Sequence, residues 1–212
     1  MIIKAYTVNP FQENTYLMIS DGKAIIVDPG FASASEVNQV LQEMEKHNAE
    51  LIAVLLTHAH IDHIWGLQRV IDRFDVPVYL SHTDDLYLWE NFYSQASMYN
   101  IPAQPFNFTP FDYPENRMLE IGPFRMLVLD TPGHSPDHVS FYIEEEGCVI
   151  AGDALFQGSI GRTDLYKGDF DLLAKSIREK LYILPDSTRV LSGHGPETTI
   201  GEEKRSNPFV KG

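Results

Sequence analysis

Residues Thr57 to Gly66 read Thr-His-Ala-His-Ile-Asp-His-Ile-Trp-Gly and follow the apolar run Leu51 to Leu56. His58, His60, Asp62 and His63 therefore fall within six positions, and their imidazole and carboxylate donors suit borderline divalent cations such as zinc or iron. His58 and His60 are two apart, so on an extended backbone both rings face the same side and can share one ion. Asp62 and His63 fall where the chain leaves the strand and turns into a helix, which aims them at a second point nearby. A lone histidine at a strand end is ordinarily a polar surface residue. Four donors packed this closely behind a buried-strand pattern predict a site for two metals.

Three later apolar runs end in the same manner. Phe124 to Leu129 leads into Asp130-Thr131-Pro132-Gly133-His134, Cys148 to Ile150 leads into Gly152-Asp153, and Arg189 to Leu191 leads into Ser192-Gly193-His194-Gly195. Taken singly, His134 and His194 are unremarkable between turn formers, and Asp153 could merely end a strand. Taken jointly, strands that share one edge would bring seven ligands to one cleft. The resulting assignment puts His58, His60 and His134 on one ion and Asp62, His63 and His194 on the other, with Asp153 bridging. Open positions remain for a water and a substrate oxygen. Asp28, in Asp28-Pro29-Gly30, is open to two readings: a turn residue, or a carboxylate that orients a metal-bound histidine. His47 and His82 have no comparable setting, nor does His138, although its place four residues beyond His134 leaves it open as a ligand's partner or a pocket residue.

The elements that must position these residues alternate between strand and helix. Ile2 to Val8, Tyr16 to Ser20 and Ala24 to Val27 read as an antiparallel opening, with a turn at Asp21-Gly22. Val37, Val40, Leu41 and Met44 recur at helical spacing to about His47, with Ser33 or Ser35 available as N-cap. The strand Leu51 to Leu56 follows. A helix through Leu67, Val70, Ile71 and Phe74 and a short strand over Val76 to Leu80 complete an α/β sheet with helices outside. Ser81 to Arg117 is aromatic-rich and broken by prolines, and reads as an insertion that covers a core edge or walls a pocket. Val139 to Ile143 and Cys148 to Ile150 form a hairpin around Glu144 to Gly147. After Asp169 as N-cap, Leu172, Leu173, Ile177 and Leu181 predict a helix.

The whole chain sets bounds on function. Its 212 residues suffice for one sizeable core, so residues 1–212 are expected to form a single domain. A net charge of −14 argues against a nucleic-acid partner, because phosphate binding requires clustered Lys and Arg. A small-molecule substrate is expected instead, with the protein a monomer or small homo-oligomer. Cys148 is the only cysteine, which excludes an intrachain disulfide and fits a small buried residue. Met1 to Pro10 lacks a basic region followed by an apolar core, and no run approaches membrane-spanning length. The expectation is a cytoplasmic protein with no membrane partner.

Thr57-His-Ala-His-Ile-Asp-His63, Thr131-Pro-Gly-His134, Gly152-Asp153 and Gly193-His194-Gly195 together resemble the metallo-β-lactamase superfamily over nearly the whole chain. The resemblance implies a four-layer αβ/βα sandwich of two mixed β-sheets with outer helices. Seven ligands with a bridging Asp153 are similar to the glyoxalase II branch, which hydrolyses hydroxyacylglutathione. Gly158-Ser-Ile-Gly-Arg162-Thr-Asp164, Gly168-Asp169 and Asn207-Pro208-Phe209 resemble its short bacterial members, which lack the C-terminal helical domain that binds glutathione. The implied activity is hydrolysis of a thioester such as S-D-lactoylglutathione by a metal-bridging hydroxide, with two divalent ions, zinc foremost, and Asp62 and Asp153 as catalytic carboxylates. Arg162 and Lys167 are the candidates for a substrate carboxylate, although Arg162 could equally pair with Asp164 or Asp169. The persulfide dioxygenase branch, with one iron on His58, His134 and Asp153, is the alternative that shares Gly161-Arg162-Thr163-Asp164.

Overall fold

The computed structural model describes residues 1–81, 87–103, 106–114 and 117–212. Expectations that fall on residues 82–86, 104–105 and 115–116, including His82 and Pro105, lie outside the described residues. The chain forms two compact units, one of Met1–Tyr113 with Ile121–Phe124 and one of Pro114–Glu120 with Arg125–Gly212.

The first unit is built on a five-stranded mixed sheet of order β1-β2-β3-β4-β5, with β1 at Ile2–Val8, β2 at Glu13–Ser20, β3 at Lys23–Val27, β4 at Glu50–Leu55 and β5 at Val78–Tyr79. The first three strands are antiparallel, and β3, β4 and β5 run parallel. Asp21 and Gly22 both take positive φ, 47° and 71°, as the tight β2–β3 turn requires. Helix α1, Ala34–Lys46, starts at a capping box: Ser33 Oγ accepts from Glu36 N–H, and the Glu36 carboxylate accepts from Ser33 N–H. Such a cap contributes about 1 kcal/mol. Val37, Val40 and Met44 of α1 pack with Leu17, Ile26 and Val54 of the sheet. Met18, Ile25 and Leu55 are buried as well, which is why these strands read as unbroken apolar runs.

After the ligand stretch the expected single helix is two, α2 at Ile61–Ile64 and α3 at Leu67–Ile71. The break is at Gly66, whose N–H donates to the Pro29 carbonyl at 2.8 Å and where a Cβ would collide with the Phe31 backbone. Helices α4 (Tyr87–Glu90) and α5 (Phe92–Met98) follow. Trp89 stacks on Phe106, Phe92 tilts against Phe106 and Phe108 meets both Trp89 and Phe106 edge-on, and all four join the core, whereas Tyr93 and Phe111 are exposed.

The six-stranded mixed sheet of the second unit has the order β13-β12-β9-β8-β7-β6. Its strands are β6 at Met118–Ile121, β7 at Phe124–Asp130, β8 at Val139–Ile143, β9 at Cys148–Gly152, β12 at Arg189–Ser192 and β13 at Thr198–Thr199, while β10 (Leu155–Phe156) and β11 (Ser159–Ile160) form a separate ribbon. Strands β12 and β9 are parallel; β7 with β8, β8 with β9, and β12 with β13 are antiparallel. Helix α6, Phe170–Ser176, is capped by Asp169, whose side chain accepts from Leu172 N–H, and widens into a π turn over Ile177–Leu181. Leu173, Ile177 and Leu181 pack against Val149, Ala151 and Val190, while Leu172 is exposed. Helix α7, Ile200–Ser206, starts at Thr199. Two mixed sheets carrying helices are the layers that the resemblance in the sequence implies.

Candidate metal centre

In the first unit, all four predicted donors sit on the segment that leaves β4. His58 and His63 are fully buried and His60 nearly so, with ring centroids 4.7 Å apart for His58 and His60 and 4.2 Å for His58 and His63. The segment is held from beneath by Asp28, at the end of β3. Asp28 Oδ1 accepts Thr57 N–H at 2.7 Å, and Asp28 Oδ2 accepts the Thr57 hydroxyl at 2.6 Å and His63 Nδ1–H at 3.0 Å. Asp28 is thus the orienting carboxylate of the two readings, and at φ 50° it also makes the turn. Because the Thr57 proton is committed to Asp28, Thr57 Oγ1 accepts from His58 Nδ1–H at 2.9 Å. Both histidines are thereby held in the tautomer whose Nε2 carries the lone pair. Tyr113 braces the same strand end: its hydroxyl donates to the Leu56 carbonyl at 2.8 Å and accepts Leu56 N–H at 3.2 Å.

The neighbouring loop is tied to α2. Asn9 Nδ2 bridges the carbonyls of Gly30 and Asp62, 2.9 Å from each. A side chain at residue 30 would collide with the Asp62 carbonyl and with Glu13. Glu13 is fully buried behind His63, with Oε1 3.9 Å from His63 Nδ1; Glu13, Asp28 and His63 form a tight group. Burial pushes the Glu13 carboxyl well above the ordinary carboxylate range. Hydrogen counting agrees: Thr15 Oγ1 lies 2.9 Å from Glu13 Oε2 and 2.7 Å from the Asp28 carbonyl oxygen. One hydroxyl proton cannot serve both acceptors, and a proton on Glu13 removes the conflict.

In the second unit, three strand ends carry the remaining predicted donors. His134 Nδ1–H donates to the Arg162 carbonyl at 2.7 Å; a carbonyl can only accept, so the Nε2 of a neutral ring bears the lone pair. His134 Nε2 and His194 Nε2 each lie 3.5 Å from Asp153 Oδ2. That separation is too long for a strong hydrogen bond, and in this tautomer His134 sets a lone pair against an anionic oxygen. A cation among these donors turns that opposition into attraction. Nitrogen and oxygen donors without sulfur, with the other nitrogen of His134 tied to the Arg162 carbonyl, fit a divalent metal such as zinc or iron. Gly193 N–H donates to the Gly152 carbonyl at 2.8 Å and so joins the ends of β12 and β9. Phe156 meets the His194 ring edge-on at 6.0 Å.

Arg162 and Asp164 form a bidentate pair, Nε to Oδ1 at 2.6 Å and Nη2 to Oδ2 at 2.7 Å. The pair holds Asp164 at a pKa of about 2, mainly through the hydrogen bonds from Arg162. Lys167 lies 5.7 Å from the centre of the Tyr166 ring. Glu13 and Thr15 support the site without any signal in sequence spacing, since Glu13 reaches His63 and Thr15 reaches the Asp28 carbonyl only through the fold.

Donor-bearing loops at strand ends of two mixed sheets mark a metallo-hydrolase of the α/β class. The chain belongs to the metallo-beta-lactamase superfamily, whose family model matches residues 8–194. It is similar to the hydroxyacylglutathione hydrolase GloC of Haemophilus influenzae, 38% identical over 99% of this chain and 98% of that protein. Among solved structures it is similar to the BLEG-1 B3 metallo-beta-lactamase, 39% identical with a TM-score of 0.89 over 100% of both chains. It is also similar to TTHA1623 in a di-iron-bound form, 40% identical with a TM-score of 0.83 over 98% of this chain and 100% of that one. Among the described residues no helix is long and apolar enough to cross a membrane.

Proposed function

We propose that this metallo-hydrolase cleaves a thioester, with hydroxyacylglutathione or a related small acyl thioester as its substrate. The observation that carries the reading is the donor set. In each unit histidine Nδ1 protons are spent on fixed acceptors, Asp28, Thr57 and the Arg162 carbonyl, which leaves Nε2 for metal. The similarity to GloC supports the thioester class.

On this reading residues 1–212 act as one catalytic domain in the cytoplasm, as a monomer or small homo-oligomer that binds a small molecule. His58, His60 and His134 would hold one divalent ion and Asp62, His63 and His194 the second, with Asp153 available to both. When bound, the two ions, zinc foremost, supply Lewis acidity and bring the pKa of water toward neutrality. The chain supplies the rest. Asp62 orients the attacking water and accepts its proton, and Asp28 and Thr57 keep the two buried histidines from rotating. Arg162 and Lys167 receive a carboxylate of the substrate; at Arg162 the incoming group exchanges with Asp164, which occupies two of its donors.

The test is hydrolysis of S-D-lactoylglutathione by purified protein under air and under nitrogen, with metal content measured on the same sample. Oxygen-independent turnover with about two metals per chain supports the hydrolase. One iron per chain, oxygen uptake on a persulfide and no thioester turnover would place the protein with the dioxygenases instead. Replacing Asp153 or His60 is expected to abolish hydrolysis while the circular dichroism spectrum stays that of the unaltered protein.

A further inference from the structure

We infer that His138 is a positioning residue for Asp153, an inference that rests on reading Asp153 as a metal ligand. The ladder between β8 and β9 pairs Ile143 with Cys148, Tyr142 with Val149 and Phe141 with Ile150, and stops there. Carried one and three residues further in the same register, Ser140 falls opposite Ala151 and His138 opposite Asp153. The strands part at this point, and side chains take over the missing rungs. Ser140 Oγ donates to the Ala151 carbonyl at 3.3 Å, and Asp153 N–H donates to His138 Nε2 at 3.0 Å.

The two substitutes are linked through Thr131 on the neighbouring strand end. His138 Nδ1 lies 2.8 Å from Thr131 Oγ1, which lies 2.9 Å from Ser140 Oγ. Protons can be placed in one direction only. Nε2 accepts from a backbone amide and so carries no proton, which puts the ring proton of a neutral imidazole on Nδ1, donating to Thr131. Thr131 then donates to Ser140, and Ser140 to the Ala151 carbonyl. The result is a closed ring of hydrogen bonds that leaves strand β9 at Asp153 and returns to it at Ala151, across Gly152 at φ 49°. His138, Thr131 and Ser140 are all essentially buried, so an amide or carbonyl lacking these partners would be stranded away from water. The ring fixes the backbone bend that presents the Asp153 carboxylate to His134 and His194.

Long-range nitrogen-15 NMR reads the tautomer directly, with or without metal: a protonated Nδ1 and an unprotonated Nε2 are expected, and a protonated Nε2 would overturn the inference. The functional arm titrates zinc against a chromophoric chelator in four proteins: unaltered, H138Q, H138F and D153N. Glutamine can place its amide oxygen where Nε2 accepts, whereas phenylalanine fills the space without an acceptor. H138F is expected to lose roughly 10- to 100-fold in zinc affinity and H138Q to recover most of it. If H138F does not fold, T131V, which removes the ring's second member, is expected to weaken zinc in the same direction. Unaltered zinc affinity in H138F, or equal losses in H138F and H138Q, would reduce His138 to a packing residue. If D153N binds zinc like the unaltered protein, the ligand reading itself falls and the positioning role with it. If D153N loses zinc and H138F does not, only the positioning role fails.

Discussion

Asp28 and His63 are 35 residues apart and meet at 3.0 Å, Oδ2 to Nδ1, so the tautomer of a buried ring on α2 is set by a carboxylate at the end of β3. D28N keeps the shape of that carboxylate but offers an amide at one position and half the acceptor capacity. Zinc affinity in D28N is expected to fall about 10- to 100-fold, with an unaltered circular dichroism spectrum; competition with a chelator measures it. Affinity equal to the unaltered protein would remove Asp28 from the site's support.

Gly161 sits where the chain passes behind two donors. A Cβ there would collide with the Asp153 carbonyl and lie 2.9 Å from His134 Nδ1. G161A is expected to destabilise the fold by about 1–3 kcal/mol, as overpacking does, and to lower metal occupancy as well. Urea unfolding and metal analysis of one preparation check both effects.

Burial pushes the Glu13 carboxyl well above the ordinary carboxylate range, and the single Thr15 hydroxyl proton between two acceptors calls for a proton on Glu13. A group whose folded pKa is raised contributes stability that is present below its unfolded value and lost as pH rises through the folded one. The ordinary value is 4.5, so the loss accumulates from there upward. In metal-free protein, E13Q is therefore expected to flatten the fall in stability across neutral pH and to match or exceed the unaltered protein at pH 7. Chemical unfolding of both proteins at several pH values decides this, and a steeper fall in E13Q would refute a protonated Glu13.

Cys148 is buried, and burial raises its thiol to a pKa of about 11. The thiolate is the reactive form, so iodoacetamide at pH 8 is expected to leave the native protein unmodified and to label it fully in denaturant. Rapid native labelling would show that β9 opens in solution.

R162A is expected to raise KM for a carboxylate-bearing thioester with kcat nearly unchanged, the signature of lost uniform binding. K167A is expected to act in the same direction. D164N, which weakens the competitor for Arg162, is expected to lower KM. Steady-state kinetics on one substrate separates the three, and a KM untouched in both R162A and K167A would end their assignment to substrate.

Much of this architecture could be read from the chain because it is local. The i, i+2 spacing of His58 and His60, the Asp21-Gly22 turn, the helical period behind Ser33 and the N-cap at Asp169 depend on near neighbours, and the structure follows them. The break at Gly66 was hidden because its cause, the backbone of Phe31, is tertiary. Strands β10, β11 and β13 have two residues each, too few for an alternating pattern to register. Helix α7 did carry a signal, Thr199 three residues before Glu202, and the Thr199 side chain accepts from Glu202 N–H. His138 shows the limit most clearly: its spacing from His134 suggested a neighbour of the ligands, and only the register of β8 against β9 reveals Asp153 N–H as its partner.

The bond from Gly193 N–H to the Gly152 carbonyl has an evolutionary corollary. Asp153 and His194 each lie one residue past the rung that joins β9 to β12, so their separation is governed by that rung and not by the chain between them. Within the stretch between them, Gly161 and Arg162 are held in place by Asp153 and His134, but exposed residues beyond them, such as Lys167 and Phe170, can drift in composition while the two donors keep their spacing. That part of the loop is open to selection for substrate preference.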